Sequence, residues 1–130
     1  MPPKYVVCRK FRFAAAHYLP DHPKCGTLHG HNYEVEVFVE GPTDVHGMVI
    51  DFSILKKLYN QHVASVVDHR CLNDVLPEIG DPTAENLACW IFHRLSCVLE
   101  PWWPAHLTCI RVQETPDCYV EVTGCASKLQ

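Results

Sequence analysis

Residues 29–40 constrain the fold of this chain more than any other stretch. His29, His31, Tyr33, Val35, Val37 and Val39 fall on one parity, and Glu34, Glu36 and Glu40 fall on the other. Alternation at period two predicts a strand with one face buried, because successive side chains on a strand point to opposite faces. Two histidines therefore continue the buried face and point into the fold. Side chains two apart on a strand can converge on one ion.

A first strand is expected over residues 5–16, which are rich in aromatic and β-branched types, with Phe11, Phe13 and Ala15 on one face. The same parity brings His17 to that face. Residues 20–26 break the pattern and read as a loop. Residues 41–47 form a turn, and residues 48–50 a short extended piece. Asp51 or Ser53 caps a helix, in which Ile54, Leu55, Leu58, His62, Val63 and Val66 recur at helical spacing. Residues 68–80 read as irregular. A second helix starts near Asp81-Pro82-Thr83, with Leu87, Ile91, Leu95, Val98 and Leu99 on its apolar face, and ends at Pro101-Trp102-Trp103-Pro104.

Two last strands are expected. Residues 107–114 place Ile110, Val112 and Glu114 on one face, and residues 119–123 follow a Thr115-Pro116-Asp117 turn. The order ββααββ predicts an α+β domain, with two helices on one face of a four-stranded antiparallel sheet. Such a sheet leaves open edges that need covering or pairing, and oligomerisation is one way to do that. Trp102 and Trp103 belong either to an interface or to the cap of the core.

A chain of 130 residues, nearly half of them hydrophobic, suits one domain over 1–130 with a sizeable core. The net charge of −4 and the lack of a Lys/Arg run argue against nucleic acid. No stretch approaches the roughly 18 apolar residues of a membrane span. The first residues lack the apolar segment of a signal peptide, so a cytoplasmic protein is expected. Its eight cysteines are then expected to be reduced. No pair has C-x-x-C spacing. Except for Cys25, they are expected to be buried free thiols acting as small hydrophobes.

Four groups can carry chemistry. His17, His29 and His31 can hold zinc and leave its fourth position free, as catalytic sites do. Cys25, four residues before His29, offers a thiolate whose pKa a metal and Lys24 would depress. Alternatively it is a fourth ligand, which would close the site and make it structural. In Asp68-His69 the carboxylate can fix the imidazole tautomer and tune it for proton transfer; a surface loop pair is the other reading. Glu114 ends an apolar strand face, where a carboxylate is expensive to bury unless paired. It suits a guanidine-like edge with two parallel N–H donors, or else turns to water.

Together these residues resemble the 6-pyruvoyltetrahydropterin synthase family. The resemblance runs through Phe13-Ala14-Ala15-Ala16-His17, Cys25, His29-Gly30-His31-Asn32-Tyr33 and Met48-Val49-Ile50-Asp51-Phe52. It continues through Leu55-Lys56, Asp68-His69-Arg70-Cys71-Leu72-Asn73, Pro82-Thr83-Ala84-Glu85-Asn86 and Glu114-Thr115. It implies zinc on His17, His29 and His31, Cys25 as catalytic base, and Asp68 with His69 as a second proton-transfer unit. It also implies Glu114 as anchor of a pterin ring, with Thr83 nearby in the pterin pocket. The implied fold is the tunnelling fold, in which trimers close a barrel and two trimers stack into a homohexamer with sites at subunit interfaces. The short gap in Cys25-x₃-His29-Gly30-His31 resembles the queuosine branch, the 6-carboxytetrahydropterin synthases acting on 7,8-dihydroneopterin triphosphate. The implied alternatives are the pyruvoyl-forming reaction on the same substrate and a non-catalytic zinc-stabilised or pterin-binding domain. Ala14 and Ala84 depart from the more usual polar residues at their positions, and the second alters a possible pterin contact.

Overall fold

The structure is a computed structural model and describes residues 2–124. Strand β1 (Tyr5–His17) and strand β2 (His29–Gly41) pair antiparallel along their whole length, from Tyr5 opposite Gly41 to His17 opposite His29. The alternation reads directly into burial. Phe11, Phe13, Ala15 and His17 are buried on β1, and Tyr33, Val35, Val37 and Val39 on β2. On the opposite face Glu36 is also buried, but Lys10 at 3.4 Å and Arg111 at 3.1 Å neutralise it.

The first helical segment is not one uniform helix. Helix α1 (Phe52–Tyr59) starts at Asp51, whose carboxylate accepts the Ser53 N–H at 2.8 Å. It runs into a π-helical turn (Asn60–Ala64) and then α2 (Ser65–Val67). A π turn takes one more residue than an α turn, which shifts the phase of the buried face. Tyr59, Val63 and Val67 are buried, while His62 and Val66 lie only partly covered. The expected apolar face, with His62 and Val66, is corrected for that reason.

The expected irregular stretch holds a short strand β3 (Arg70–Cys71), a helix α3 (Leu72–Val75) and a 3₁₀ turn (Pro77–Ile79). Strand β3 pairs parallel with β1, Ala15 opposite Arg70 and Ala16 opposite Cys71. Helix α4 (Ala84–Val98) is capped by Thr83, whose hydroxyl accepts the Asn86 N–H at 3.1 Å. Strands β4 (His106–Thr115) and β5 (Cys118–Val122) complete the sheet. The sheet is therefore five-stranded and mixed, in the order β3-β1-β2-β4-β5. This corrects the expected four antiparallel strands, since a two-residue strand is too short to show a period. Leu87, Ile91 and Leu95 of α4 pack with the inner faces of β2 and β4 in one core. Trp102 packs against that core and Trp103 is exposed.

The cysteines differ from expectation. Cys8, Cys97 and Cys118 are exposed free thiols, and Cys25, Cys71 and Cys109 are half-buried free thiols. Cys89 is disulfide-bonded. Cys125 lies outside the described residues. Among the described residues no helix is long and apolar enough to cross a membrane.

Candidate metal centre and active-site cavity

Pairing of the two long strands puts His17 opposite His29 and His31 opposite Ala15. All three rings lie on the buried side, and β4, beyond β2, brings Glu114 to the same place. The ligand atoms of His17, His29, His31 and Glu114 lie within 4.8 Å of one another. His17 is fully buried. Its Nδ1 is 2.8 Å from the Pro82 carbonyl, and His29 Nδ1 is 2.7 Å from the Thr27 carbonyl. A carbonyl only accepts, so both Nδ1 atoms carry the proton in the neutral rings and both Nε2 atoms present lone pairs. Those two Nε2 atoms face each other at 3.1 Å. Two lone pairs so close repel unless a cation or a proton lies between them. His31 Nε2 is buried without a hydrogen bond, although Glu114 Oε1 is 3.0 Å away. Three imidazoles, two of them with Nδ1–H held by backbone carbonyls, and a carboxylate beside them are a donor set that fits zinc.

The electrostatics agree with a polar, charge-holding site. Burial opposes a charge on His17, but Glu114, with Oε1 3.6 Å from its Nε2, and the Pro82 carbonyl outweigh it and raise the pKa. Burial lowers the pKa of His31. His17, more than burial can oppose, holds the Glu114 carboxyl below its ordinary value. Burial pushes the Tyr33 phenol up, so it stays protonated, and its oxygen sits 3.3 Å from His17 Nδ1.

Asp68 ends the helical segment, and its Oδ1 accepts the Ala14 N–H at 3.0 Å and faces His69 Nδ1 at 3.0 Å. His69 itself has φ of 60°, a left-handed conformation uncommon outside glycine. Its N–H donates to the Ala14 carbonyl at 2.6 Å, so β1 clamps both residues of the pair. A cavity of about 750 Å³ joins this pair to the metal group, with His31, Glu114, Thr115, Gln113, Asp68 and His69 on its walls. Cys25 and Thr83 are not among its lining residues. Cys25 is half-buried in the loop between β1 and β2, and is not part of the metal group found among the described residues.

The sequence model described as 6-pyruvoyl tetrahydropterin synthase matches residues 6–125. This chain belongs to the 6-pyruvoyl tetrahydropterin synthase family. Within the family, the 6-carboxy-5,6,7,8-tetrahydropterin synthase of Synechocystis is 40% identical over 97 aligned positions, covering 70% of this chain and 74% of that protein. The one from Rickettsia conorii is 32% identical over 133 aligned positions, covering 88% of this chain and 96% of the other. The solved 6-pyruvoyl tetrahydropterin synthase of Caenorhabditis elegans superposes with a TM-score of 0.85 at 30% identity, over 95% of this chain and 97% of that one.

Sequence reasoning named the three histidines, Glu114 and the Asp68-His69 pair, which the structure brings together around one metal-ligand group and its neighbouring cavity. It did not find the groups that orient them. The Pro82 and Thr27 carbonyls and the Ala14 backbone are main-chain atoms, which no residue type advertises. Nor did it find His22, whose Nδ1 accepts two backbone N–H groups in the Cys25 loop.

Proposed function

We propose that this family member is a zinc-dependent 6-carboxy-5,6,7,8-tetrahydropterin synthase of queuosine and 7-deazapurine biosynthesis. Its reaction converts 7,8-dihydroneopterin triphosphate and one water to 6-carboxytetrahydropterin, acetaldehyde and triphosphate, the water supplying the second carboxyl oxygen as the side-chain carbon–carbon bond breaks. The observation that carries this reading is the cavity that has the His31–Glu114 side of the metal group and the Asp68-His69 pair on its walls. A structural zinc knot would need no such cavity and no second proton-handling pair.

His17, His29 and His31 would hold the zinc, which when bound polarises the substrate's side-chain hydroxyls as a Lewis acid. Glu114, kept ionised by its imidazole neighbours, accepts the two parallel N–H donors of the pterin edge. Asp68 holds His69 Nδ1–H, which leaves His69 Nε2 to give or take a proton over the cavity. Cys25, as thiolate, removes the other proton. It stands on the segment that closes His17 back to His29, so both ends of its loop are fixed at the metal group. Thr83 contributes through its neighbour, because its cap on α4 fixes Pro82, whose carbonyl orients His17. Homohexamer assembly would cover the outer edges of β5 and of the first half of β1.

The pyruvoyl-forming reaction remains the second reading, favoured by the likeness to the Caenorhabditis elegans enzyme. Both reactions release triphosphate, which makes that release the first test. Zinc-loaded protein should release triphosphate from 7,8-dihydroneopterin triphosphate, lose the activity to a chelator and regain it with zinc. Cys25→Ala should abolish turnover with zinc still bound. Near-normal turnover in that variant would remove Cys25 as the base, and no release by the loaded wild type would remove the enzyme reading.

A further inference from the structure

His22 is exposed, lies outside the metal group and lines none of the cavity beside it. Yet it organises the loop that carries Cys25. Its Nδ1 accepts the N–H of Lys24 at 3.1 Å and the N–H of Cys25 at 2.8 Å. Its own N–H donates to the Leu19 carbonyl at 3.1 Å, and its carbonyl accepts the Gly26 N–H at 3.1 Å. Leu19 in turn donates to the Cys25 carbonyl at 2.8 Å. The main chain of Cys25 is thus held on both sides, by the His22 ring and by Leu19.

Gly26 supplies a second observation. A Cβ placed there would sit 2.8 Å from the His22 carbonyl oxygen, a backbone atom that cannot step aside cheaply. The turn is therefore closed tightly from the ring side by His22 and from the chain side by a residue that must lack a side chain. A solvent-facing histidine with no structural task would not accept two consecutive backbone donors opposite such a contact.

We propose that His22 is a positioning residue: its neutral ring, protonated on Nε2, clamps the turn that fixes the Cys25 thiol relative to the metal group. The consequence for turnover rests on the reading of Cys25 as the proton-abstracting base. The geometry needs an acceptor at the δ position and no more. Asparagine offers one, since its Oδ1 accepts backbone N–H groups a few residues on in the same way. Alanine offers none.

The test uses zinc-loaded full-length protein and the variants His22→Ala, His22→Asn and Gly26→Ala. Amide exchange at Lys24 and Cys25 should quicken roughly tenfold in His22→Ala and Gly26→Ala, as expected when local hydrogen bonds are lost. Alkylation of Cys25 by iodoacetamide should change with it. The kcat for triphosphate release should fall about tenfold with KM within about twofold, because substrate contacts are untouched. Zinc content should stay at the wild-type value, and His22→Asn should recover most of both exchange protection and kcat. Wild-type exchange in His22→Ala would overturn the clamp. So would faster exchange with unchanged kcat, zinc loss parallel to the loss of kcat, or an asparagine variant no better than alanine. If wild-type protein releases no triphosphate, the functional reading has failed, and exchange and alkylation alone decide the role of His22.

Discussion

At His17 a proton and the proposed zinc would compete for the same nitrogen. In the metal-free protein His17 is raised above its ordinary 6.5 and Glu114 is lowered below its ordinary 4.5. The Glu114 share of stability is present above 4.5 and is lost as pH falls through its depressed value. The His17 share is full below 6.5 and is lost as pH rises through its raised value. Metal-free protein is therefore best held by this pair between those two ordinary values. Zinc needs the neutral imidazole, so uptake must expel the His17 proton. Apparent zinc affinity should fall about tenfold per pH unit below the raised His17 value. Zinc titrations in buffers of different ionisation enthalpy check this through the number of protons released. Tyr59 gives a second prediction at this scale. Its ring stacks on Phe11 at 4.1 Å, but its hydroxyl is buried with no hydrogen-bond partner among the described residues. Tyr59→Phe should raise unfolding stability by about 1 kcal/mol, the cost of a buried unsatisfied hydroxyl, as read by denaturant titration. A loss of stability instead would mean that the hydroxyl is satisfied. At this scale sequence shows which side chains share a face. His29 and His31 were legible by parity, whereas the carbonyls that orient His17 and His29 were not, because every residue carries one.

The elements explain where the pattern misleads. Helical periodicity from Ile54 onward fits an uninterrupted α-helix, and the π turn at Asn60–Ala64 breaks it without any proline or glycine to announce it. The phase shift leaves Val67 buried and Val66 half-covered. Val67→Ala should cost about 2 kcal/mol, and Val66→Ala under about 1 kcal/mol, because only the first opens a cavity in the core. Thermal unfolding of the two variants checks this, and equal costs would restore the uniform helix. The shift also has a functional side. It brings the helix to its end at Asp68, where β1 catches Asp68 and His69 through Ala14. Strand β3 follows at once, paired to the same end of β1. Two residues are too few for alternation to register, so the fifth strand and the clamp it supports were illegible. The two long strands were the opposite case, since many alternating residues with one buried face allow a single reading.

Across the whole molecule, the sheet gathers onto one cavity side chains that are far apart in the chain. His31 and Glu114 reach it from neighbouring strands and Asp68-His69 from the end of a helix, while Cys25 sits on the loop that joins the two histidine-bearing strand ends. That gathering is the reason a set of individually weak signals acquires meaning: H-x-H or Asp-His alone is common, but the fold sets His31 of the first and both residues of the second on the walls of one cavity. The outer strand edges mark where copies of the chain would meet in the proposed hexamer. In the proposed reaction the side-chain carbon–carbon bond breaks after triphosphate leaves, and product chemistry tests this. Zinc-loaded protein given 7,8-dihydroneopterin triphosphate should yield 6-carboxytetrahydropterin and acetaldehyde in equal amounts, identified by mass spectrometry. A pyruvoyl side chain left intact on the pterin, with no acetaldehyde, would contradict the account.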